Sequence, residues 1–433
     1  MESSLTIAPR EWMTARDTRA VIAALESDGA EARFVGGCVR DALMLALLGR
    51  GRDARDIDIA TPEPPQRVAE LLAKAGIRAV PTGIEHGTVT AVVDGKPFEI
   101  TTLRRDVETF GRRAKVAFTD DWQEDAARRD FTMNAMFLSA DGRVYDAFGG
   151  LDDLKVGRVR FVGDPRERIE EDVLRLLRYF RFFAHFDRGP PDAAALAACK
   201  AMASKVHSLS GERVHAELLK LLEARDPAAT LMLMEREGIL PHLLPEAGCF
   251  ARLKALTLIE ADILGDPPDP LLRLAATLEG GGPVTIDVAN RLRLSNRERA
   301  RLAQLATSAP IAPDMGERAA RRMLQRMGAE RFRDHVLLNW ADAREVETKA
   351  GDAAVTSHAD DRAWRALLDI AATWRPAVFP VTGEDALRLG IPQGPDLGET
   401  LKAVEEWWAD EDFRPDREAC LAQLSALAAA RAR

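Results

Sequence analysis

The chain has few cysteines and no long apolar run, and each shortage excludes a class of protein. Among 433 residues only four are cysteine, and Cys38, Cys199, Cys249 and Cys420 show neither the spacing of a zinc site nor that of a disulfide framework. The apolar run at residues 42–48 is too short to span a bilayer, and the first residues lack a signal-peptide pattern. These absences predict a soluble, cytoplasmic protein that does not contact membrane.

Positive charge is also in deficit. The 60 Lys and Arg residues face 69 Asp and Glu residues, for a net charge of −9, which argues against a nucleic-acid partner because phosphate binding uses cations. The distribution argues otherwise, since nine arginines lie between Arg291 and Arg326 against three acidic residues. Two interpretations stay open for this segment: a solvated helical face, and a surface that follows a nucleic-acid backbone.

The length and the pattern of hydrophobic residues predict several domains. A chain of 433 residues exceeds one ordinary core. Strand-like runs alternate with helical segments in the first 150 residues, at 33–35, 56–60, 88–93, 97–102 and 132–138. Asp164 precedes Pro165 and lies three residues before Glu167, a pattern typical of a helix start. After Asp164 the strand signals largely disappear. The predicted fold class is α+β, with a mixed head followed by an all-helical remainder.

The most informative segment is a strand that runs through Gly36 and Gly37 into a helix carrying Arg40 and Asp41. Glycine lets the backbone approach an anion, and the start of a helix offers free N–H groups and the positive end of its dipole. Arginine adds a fork for phosphate oxygens. This pattern predicts a phosphate-binding turn.

Two carboxylates follow fifteen residues later. Residues i and i+2 of an extended segment project to one face, so Asp56 and Asp58 can hold a divalent metal while Ile57 and Ile59 are buried on the other face. A phosphate-binding turn beside paired carboxylates indicates nucleotide chemistry.

A second charged cluster contains Arg129, Asp130 and Asn134. Alone it is typical of a solvated turn. Next to a phosphate-binding turn, the same residue types suit a triphosphate and a ribose.

A third cluster, at residues 171–182, has the apolar stripe of one packed helix. Asp172 and Arg175, three residues apart, would lie on one face of the helix. Arg178 would be rotated away from that face, and Arg181 would lie toward the opposite side. The pair is either a surface ion pair or a reader of bases. Cytosine and adenine both present an amino group beside a ring-nitrogen acceptor, so an Asp that accepts and an Arg that donates would admit C and A and reject G and U.

In this order the motifs resemble the class II tRNA nucleotidyltransferase and bacterial poly(A) polymerase family. They are Gly-Gly-x-Val-Arg-Asp at 36–41, Asp-x-Asp at 56–58, Arg-Arg-Asp-Phe-Thr-x-Asn-Ala at 128–135, Asp-x-x-Gly-Gly-x-x-Asp-Leu at 146–154 and Glu-Asp-x-x-Arg-x-x-Arg at 171–178. Residues 211–217 resemble the last family motif, a structural helix element. The resemblance covers about residues 30–225 and is weaker beyond them.

The resemblance implies a polymerase-β-type head over residues 1–150, a helical neck over 151–227 that recognises the base, and a helical body and tail over 228–433 that bind tRNA. It implies that Asp56 and Asp58 are catalytic and bind Mg²⁺. It also implies a nucleotide site made of Gly37, Arg40, Asp41, Arg129, Asp130, Asn134, Asp172, Arg175, Arg178 and Arg181.

Three features favour a CCA-adding enzyme, which uses CTP and ATP on tRNA, within this family. Residues 104–124, containing Asp106, Arg112 and Arg113, resemble the flexible loop of full CCA-adding and A-adding enzymes. The strongly basic C-terminus of bacterial poly(A) polymerases is missing, and none of the seven histidines is followed by Asp, as a fused phosphohydrolase domain would require. No obligatory protein partner is inferred.

Three alternative functions remain open. The first is an enzyme of the same chemistry that adds only A, to tRNA or as poly(A). The second is a catalytically silent RNA-binding protein, which the paired carboxylates argue against. The third is a small-molecule nucleotidyltransferase, which would not need the arginine-rich half.

Overall fold

The computed structural model describes residues 3–51, 54, 56–110, 113–186, 188–307, 309–349 and 358–431. They form two compact units: Met1–Ala247 with Arg291–Arg293, and Gly248–Asn290 with Leu294–Arg433. The boundaries that we expect at residues 150 and 227 both lie inside the first unit, and they remain predictions.

The strands all lie in the first unit. They are β1 (Ser3–Thr6), β2 (Arg33–Val35), β3 (Ile57–Thr61), β4 (Arg78–Gly83), β5 (Thr88–Val93), β6 (Lys96–Thr102), β7 (Arg104–Phe110), β8 (Arg113–Phe118), β9 (Phe137–Leu138) and β10 (Arg143–Tyr145). Within the described residues no strand follows Tyr145, which confirms the helical remainder.

The helices run from end to end of the chain. They are α1 (Glu11–Thr14), α2 (Arg16–Glu26), α3 (Gly37–Leu48), α4 (Pro65–Lys74), α5 (Trp122–Ala127), α6 (Gly150–Val156), α7 (Pro165–Glu171), α8 (Leu174–Phe186), α9 (Ala193–Ala201), α10 (Gly211–Leu222), α11 (Pro227–Arg236), α12 (Leu240–Leu243), α13 (Phe250–Leu258), α14 (Pro270–Thr277), α15 (Gly282–Arg291), α16 (Asn296–Leu305), α17 (Glu317–Met327), α18 (Ala329–Lys349), α19 (His358–Thr373), α20 (Gly383–Arg388), α21 (Pro395–Asp410) and α22 (Arg417–Arg431).

One eight-stranded sheet positions the site, in the order β1-β10-β9-β2-β3-β6-β5-β4. The pair β3 and β6 is parallel, and the other neighbouring strands are antiparallel. Ile57 and Ile59 of β3 are 2% and 0% exposed, while Asp58 between them is only half-buried. The alternation predicted from the sequence is therefore confirmed, and it presents the Asp58 carboxylate on the face opposite the buried isoleucines.

The strand prediction for residues 132–138 is largely wrong. A 3-10 turn spans Thr132–Asn134, and only the two residues of β9 follow it as strand. The Thr132 N–H donates to the Arg160 carbonyl, and the Asn134 N–H donates to the Phe131 carbonyl. Because these bonds occupy the backbone before β9, the segment turns instead of extending the sheet.

Asp164 begins α7 as predicted. Its carboxylate accepts from the N–H groups of Arg166 and Glu167 at 2.9 and 3.0 Å, and Pro165 is the first helical residue. Such a cap stabilises a helix by about 1 kcal/mol.

The second unit has cores of its own. Trp340 and Trp364 are 1% and 2% exposed, and their rings stack at 6.2 Å. Trp408 and Cys420 belong to a separate buried cluster near the C-terminus. No helix among the described residues has both the length and the apolar character needed to cross a membrane.

Candidate active site

The phosphate-binding turn has the predicted geometry. β2 ends at Val35, Gly36 follows with φ of +75°, and α3 begins at Gly37. A side chain at Gly36 would meet only ordinary contacts, 3.6 Å from Asp58 and 3.9 Å from Arg129, so its positive φ is what favours glycine there. The N–H groups at the start of this twelve-residue helix could bind an anion.

Arg40 is held in a fixed orientation beside the turn. Its Nε and Nη2 donate to one Asp41 oxygen at 2.9 and 2.7 Å, and its Nη1 donates to the Asn134 side-chain carbonyl at 3.1 Å. The guanidinium lies 4.3 Å from the centre of the Phe186 ring, which places it in the range of a cation–π contact. Asp41 therefore positions Arg40 in this structure.

The paired carboxylates differ in burial, because Asp56 is exposed and Asp58 is half-buried. Burial raises the pKa of Asp58 to about 6, and the negative charges of Glu99 and Asp56 add to this while Arg129 opposes it. Glu99 lies beside Asp58 because β3 and β6 pair these two residues in register. Excess negative charge at one point suits a divalent cation, although no group of three or more His, Cys, Asp and Glu in the described chain could hold a metal ion.

The raised pKa of Asp58 predicts a cost in stability. Its pKa of about 6 in the folded state exceeds the usual 3.8, so the carboxyl group ionises more easily in the unfolded state. At pH above 6 the ionised carboxylate therefore destabilises the folded state relative to the unfolded state. We expect Asp58→Asn to stabilise the metal-free protein by roughly 2–3 kcal/mol at pH 7.5, with the gain shrinking as the pH falls through 6 toward 4. Urea unfolding in EDTA at several pH values measures it.

Magnesium provides the control for this experiment. Added Mg²⁺ should stabilise the wild type more than Asp58→Asn, because it neutralises a charge that the variant lacks. A stability difference that does not change with pH would contradict the assigned electrostatics.

The second cluster is held by a buried carboxylate, so the interpretation of it as a solvated turn is wrong. Asp125 is 1% exposed and accepts from Arg128 at 2.8 Å and from Arg129 at 2.8 Å. Burial by itself would raise the pKa of Asp125, but the two guanidinium groups lower it below its usual value. The two arginines are therefore held side by side at the end of α5.

Asp130 faces the helices that follow the head. Its carboxylate accepts from Arg178 Nε at 2.7 Å and from Asn134 Nδ2 at 3.2 Å. Burial would raise the pKa of Asp130, but the Arg178 guanidinium and these hydrogen bonds lower it. Since Asn134 also accepts from Arg40, one hydrogen-bonded chain joins the phosphate-binding turn to α8.

Asp172 and Arg175 do not share one helix, which corrects the sequence interpretation. α7 ends at Glu171, Asp172 is extended, and α8 begins at Leu174. Asp172 Oδ1 accepts from the Leu174 N–H at 3.1 Å, so Asp172 caps the second helix, and its Oδ2 accepts from Arg213 at 2.7 Å. Arg175 instead binds the Glu171 carboxylate and a backbone carbonyl. The surface ion pair between Asp172 and Arg175 is therefore also wrong.

Two of the three arginines of α8, Arg178 and Arg181, share one buried partner. Glu217 is 7% exposed, and its carboxylate lies 2.6 Å from Arg181 Nε and 3.9 Å from Arg178 Nη1. The prediction that Arg181 lies on the opposite side of the helix is therefore wrong. Asp172 lies outside α8, and the long side chain of Arg181 reaches Glu217, the residue that Arg178 also approaches.

These side chains surround a cavity of about 600 Å³, called here the first cavity. The predicted residues lining it are Gly37, Arg40, Asp58, Arg129, Asp130, Asn134, Asp172, Arg175, Arg178 and Arg181. Asp41 and Asp56 line a second, adjoining cavity. Seven arginines of the first cavity face three aspartates, since Arg128 and Arg213 join the five predicted arginines. Asp41, Asp125, Glu171 and Glu217 pair with these arginines from outside the first cavity, so it is the number of guanidinium donors and the size of the cavity that suit a nucleoside triphosphate.

Sequence reasoning missed Glu99, Arg128, Arg213 and Glu217 as parts of this arrangement. Glu99 interrupts an apolar strand pattern at Phe98 and Ile100, and that break was the signal available. Arg213 and Glu217 fall in the motif at residues 211–217, but only the fold places them against α8 and Asp172.

The arginine-rich segment is not one continuous cationic face. Arg301 donates to Asp269 and Asp334, Arg321 donates to Asp412, and Arg322 pairs with Asp410. Arg291 pairs with Glu246. The exposed arginines that remain are Arg293, Arg297, Arg299, Arg318 and Arg326. Both interpretations of the segment therefore stay open for these five.

Two family descriptions match parts of the chain. Residues 32–160 match the Poly A polymerase head domain, and residues 191–249 match the probable RNA and SrmB- binding site of polymerase A. The chain is 34% identical over 409 residues to CCA tRNA nucleotidyltransferase 1, mitochondrial, of Mus musculus, covering 91% of this chain and 86% of that protein. It is 32% identical over 417 residues to the CCA-adding enzyme of Levilactobacillus brevis, covering 92% and 93%.

Solved structures agree with these relatives. The Bacillus stearothermophilus CCA-adding enzyme in complex with CTP matches with a TM-score of 0.75 and 26% identity, covering 96% of this chain and 98% of that one. The Thermotoga maritima CCA-adding enzyme complexed with tRNA_CCA, at 21% identity, TM-score 0.65 and coverage of 98% and 100%, shows likeness of fold alone. The α+β fold class with a polymerase-β-type head is confirmed.

Proposed function

Because the chain belongs to the family of CCA tRNA nucleotidyltransferases and poly(A) polymerases, we propose that it adds CCA to the 3′ end of tRNA, using CTP and ATP and releasing pyrophosphate. The observation that carries this proposal is the first cavity, where seven arginines adjoin the carboxylate of Asp58. Nucleotidyl transfer needs this combination of triphosphate-binding cations and metal-binding carboxylates.

In this proposal the head holds the triphosphate. The N–H groups at Gly37 and the fork of Arg40 bind its oxygens, and Arg129 adds a second guanidinium. Asp130 and Asn134 meet the ribose. Since Asp41 and Asp125 fix two of these arginines before substrate arrives, little reorganisation is needed during the reaction.

Asp56 and Asp58 would hold the divalent metal, and Mg²⁺ fits because it is typically bound by one or two carboxylates plus substrate phosphates. Bound there, the metal supplies charge neutralisation at the triphosphate and activation of the RNA 3′-hydroxyl. Arg40 and Arg129 keep the triphosphate oriented for in-line displacement, with pyrophosphate leaving opposite the attacking oxygen.

Asp172 and Arg175 would read the base from the junction between α7 and α8. The Leu174 N–H and the Arg213 guanidinium each donate to one oxygen of the Asp172 carboxylate and so hold it in place. Asp172 would accept from the amino group of cytosine or adenine while Arg175 donates to the ring nitrogen. Arg178 and Arg181 would add two further guanidinium groups to the lining of the first cavity.

The remaining assignments follow the same proposal. Residues 1–150 act as catalytic head, 151–227 as base-recognising neck, and 228–433 as body and tail that bind tRNA. The match of residues 191–249 to a probable RNA-binding region supports an RNA substrate. We place the protein in the cytoplasm, where cysteines stay reduced, because none of its four cysteines, all within the described residues, is joined in a disulfide.

The test uses tRNA truncated before CCA, with CTP and ATP supplied singly and together, and sequencing of the 3′ ends. We expect CTP alone to add two residues and the mixture to complete CCA. An enzyme that adds only A, the second candidate, would leave this tRNA unchanged with CTP and would extend tRNA ending in CC. No extension of either substrate would overturn the proposal.

The loop between Arg105 and Glu124 is predicted to control the change from C to A. In the structure most of it is a two-stranded hairpin, β7 and β8, in which Asp106 pairs with Val116 and Phe110 with Arg113, and its last residues begin α5 at Trp122. Arg112 lies outside the described residues. The hairpin adjoins the site through α5, so it could reposition the base-reading residues once the RNA end has lengthened.

Replacing residues 104–118 with a short glycine-serine turn should spare C addition and reduce A addition at least about tenfold. The Thr119 N–H donates to the Leu103 carbonyl, so the turn can bridge these residues, and α5 with its buried Trp122 is kept. Separate assays of CTP and ATP incorporation measure the effect. Equal loss of both activities would instead indicate a general role in folding or binding.

A further inference from the structure

Arg168 lies outside the first cavity and connects residues from two sides of it. It belongs to α7, it is buried, and it lines neither cavity, so it does not meet the nucleotide itself. Its Nη2 donates to the carbonyls of Arg128 and Arg129, the latter at 3.1 Å. Its Nη1 donates to the Glu171 carboxylate at 2.9 Å. One guanidinium therefore contacts the head and the end of α7 at the same time.

On the head side, Arg168 holds the backbone of two arginines. Arg128 is the C-cap of α5, and a carbonyl at the end of a helix carries partial negative charge and has no partner within the helix. The Arg168 guanidinium donates to this carbonyl and to that of Arg129. Asp125 meanwhile holds the two side chains, in ion pairs of 2.7 and 2.8 Å. Separate groups therefore fix the backbone and the side chains of Arg128 and Arg129.

On the base-reading side, three contacts link Arg168 to Arg175. Arg175 Nη1 donates to the Arg168 carbonyl at 3.0 Å. Arg175 Nη2 donates at 3.3 Å to the Arg128 carbonyl, which Arg168 also binds. The Glu171 carboxylate accepts from both Arg168 and Arg175. The position of Arg175 relative to Arg128 therefore depends on Arg168.

In the proposed function a single nucleotide has to meet both sides together. Its base reaches Arg175 while its triphosphate reaches Arg129, and covalent bonds set the distance between these two parts of the nucleotide. A shift of one side relative to the other therefore misaligns the reacting phosphate with the RNA 3′-hydroxyl. A misplacement of about 1 Å can cost on the order of a hundredfold in rate.

We propose that Arg168 is a positioning residue that sets the distance between the base-reading residues and the triphosphate-binding residues, and that selectivity for C and A depends on it. This inference rests on the proposed function. With Arg168 in place, a base that does not pair with Asp172 and Arg175 leaves its triphosphate misaligned. Without the Arg168 fork, Arg175 is free to follow the wrong base, so the penalty for a mismatch falls.

Arg168→Lys tests this role because it keeps the charge and removes the fork that spans two carbonyls and a carboxylate. On tRNA truncated before CCA, we expect the ratio of kcat/KM for CTP to that for UTP to fall about tenfold. The loss should lie in kcat for CTP, with the KM for CTP and for tRNA within about twofold of wild type. A merely structural role would lower the active fraction, which affects both nucleotides equally and leaves the ratio unchanged.

A second variant, Arg168→Gln, replaces the fork with a neutral amide and should lower the ratio in the same way. The matched control is Arg166→Lys, in the same helix, where the arginine side chain is 68% exposed and pairs with Glu170, and the ratio should not change. In an Arg175→Ala background, Arg168→Lys should cause no further loss of selectivity, because Arg168 acts through Arg175.

An unchanged ratio in either Arg168 variant would overturn the inference. Losses that multiply when Arg168→Lys is combined with Arg175→Ala would overturn it as well, and so would an equal loss in Arg166→Lys. Wild type that extends no tRNA would refute the proposed function instead.

Discussion

Replacing Asp56 or Asp58 with alanine is expected to abolish incorporation of both CTP and ATP while the fold stays intact. Each change removes a proposed metal ligand, and charge stabilisation by a metal contributes several kcal/mol, so the rate should fall at least about a thousandfold. The buried neighbours Ile57 and Ile59 are retained, so thermal unfolding should show a cooperative transition. Single-turnover incorporation on truncated tRNA measures the loss.

Asp152→Ala is the matched control for these variants. Asp152 is an aspartate of the same unit whose side chain is 82% exposed, and it lines neither cavity. Its substitution should leave the rate within about twofold of wild type. Turnover within tenfold of wild type in either Asp56→Ala or Asp58→Ala would sink the assignment of the metal carboxylates.

Asp172→Ala is expected to reduce discrimination against UTP and GTP as well as the overall rate. Uracil and guanine place a carbonyl where cytosine and adenine have an amino group, so the Asp172 carboxylate repels them. Each unpaired buried group costs roughly 1–3 kcal/mol, which corresponds to a loss of selectivity between about fivefold and a hundredfold. Incorporation of all four nucleotides by the variant measures it.

The structure supplies a control because Asp172 is also a helix cap. Asp164→Ala removes the equivalent cap from α7 outside the first cavity, so it should cost similar stability, about 1 kcal/mol, without changing selectivity. Arg213→Ala should change selectivity in the same direction as Asp172→Ala, because Arg213 holds the carboxylate in place. Unchanged selectivity with a near-normal rate in Asp172→Ala would remove Asp172 and Arg175 from the site.

Local patterns in the sequence were sufficient for several elements. The strand, double glycine and helix at residues 33–48 follow from the backbone freedom of Gly36, and Ile57 and Ile59 are buried because residues alternate along a strand. Asp164 with Pro165 marks a helix start through hydrogen bonds within a few residues. Each of these signals depends on neighbours in the chain, which is why the sequence contains them.

Signals failed where distant residues competed with local ones. The apolar stripe at residues 173–183 is real, but it did not reveal that Asp172 leaves the helix to cap α8 and accept from Arg213, forty-one residues away. The pattern at residues 132–138 resembled a strand. In the structure the Thr132 N–H donates to the Arg160 carbonyl, and the segment forms a turn instead. Propensity within a short window carries no information about such partners.

By itself the sequence determined the fold class, the motifs and their order, and the residue types of a nucleotide site, because these depend on composition, spacing and local geometry. Only the tertiary structure decided that Glu99 lies beside Asp58, that Glu217 contacts both Arg178 and Arg181, and that seven arginines line one cavity. The physical reason is that charge and burial at a site sum over side chains brought together from different elements, and that sum exists only once the chain has folded.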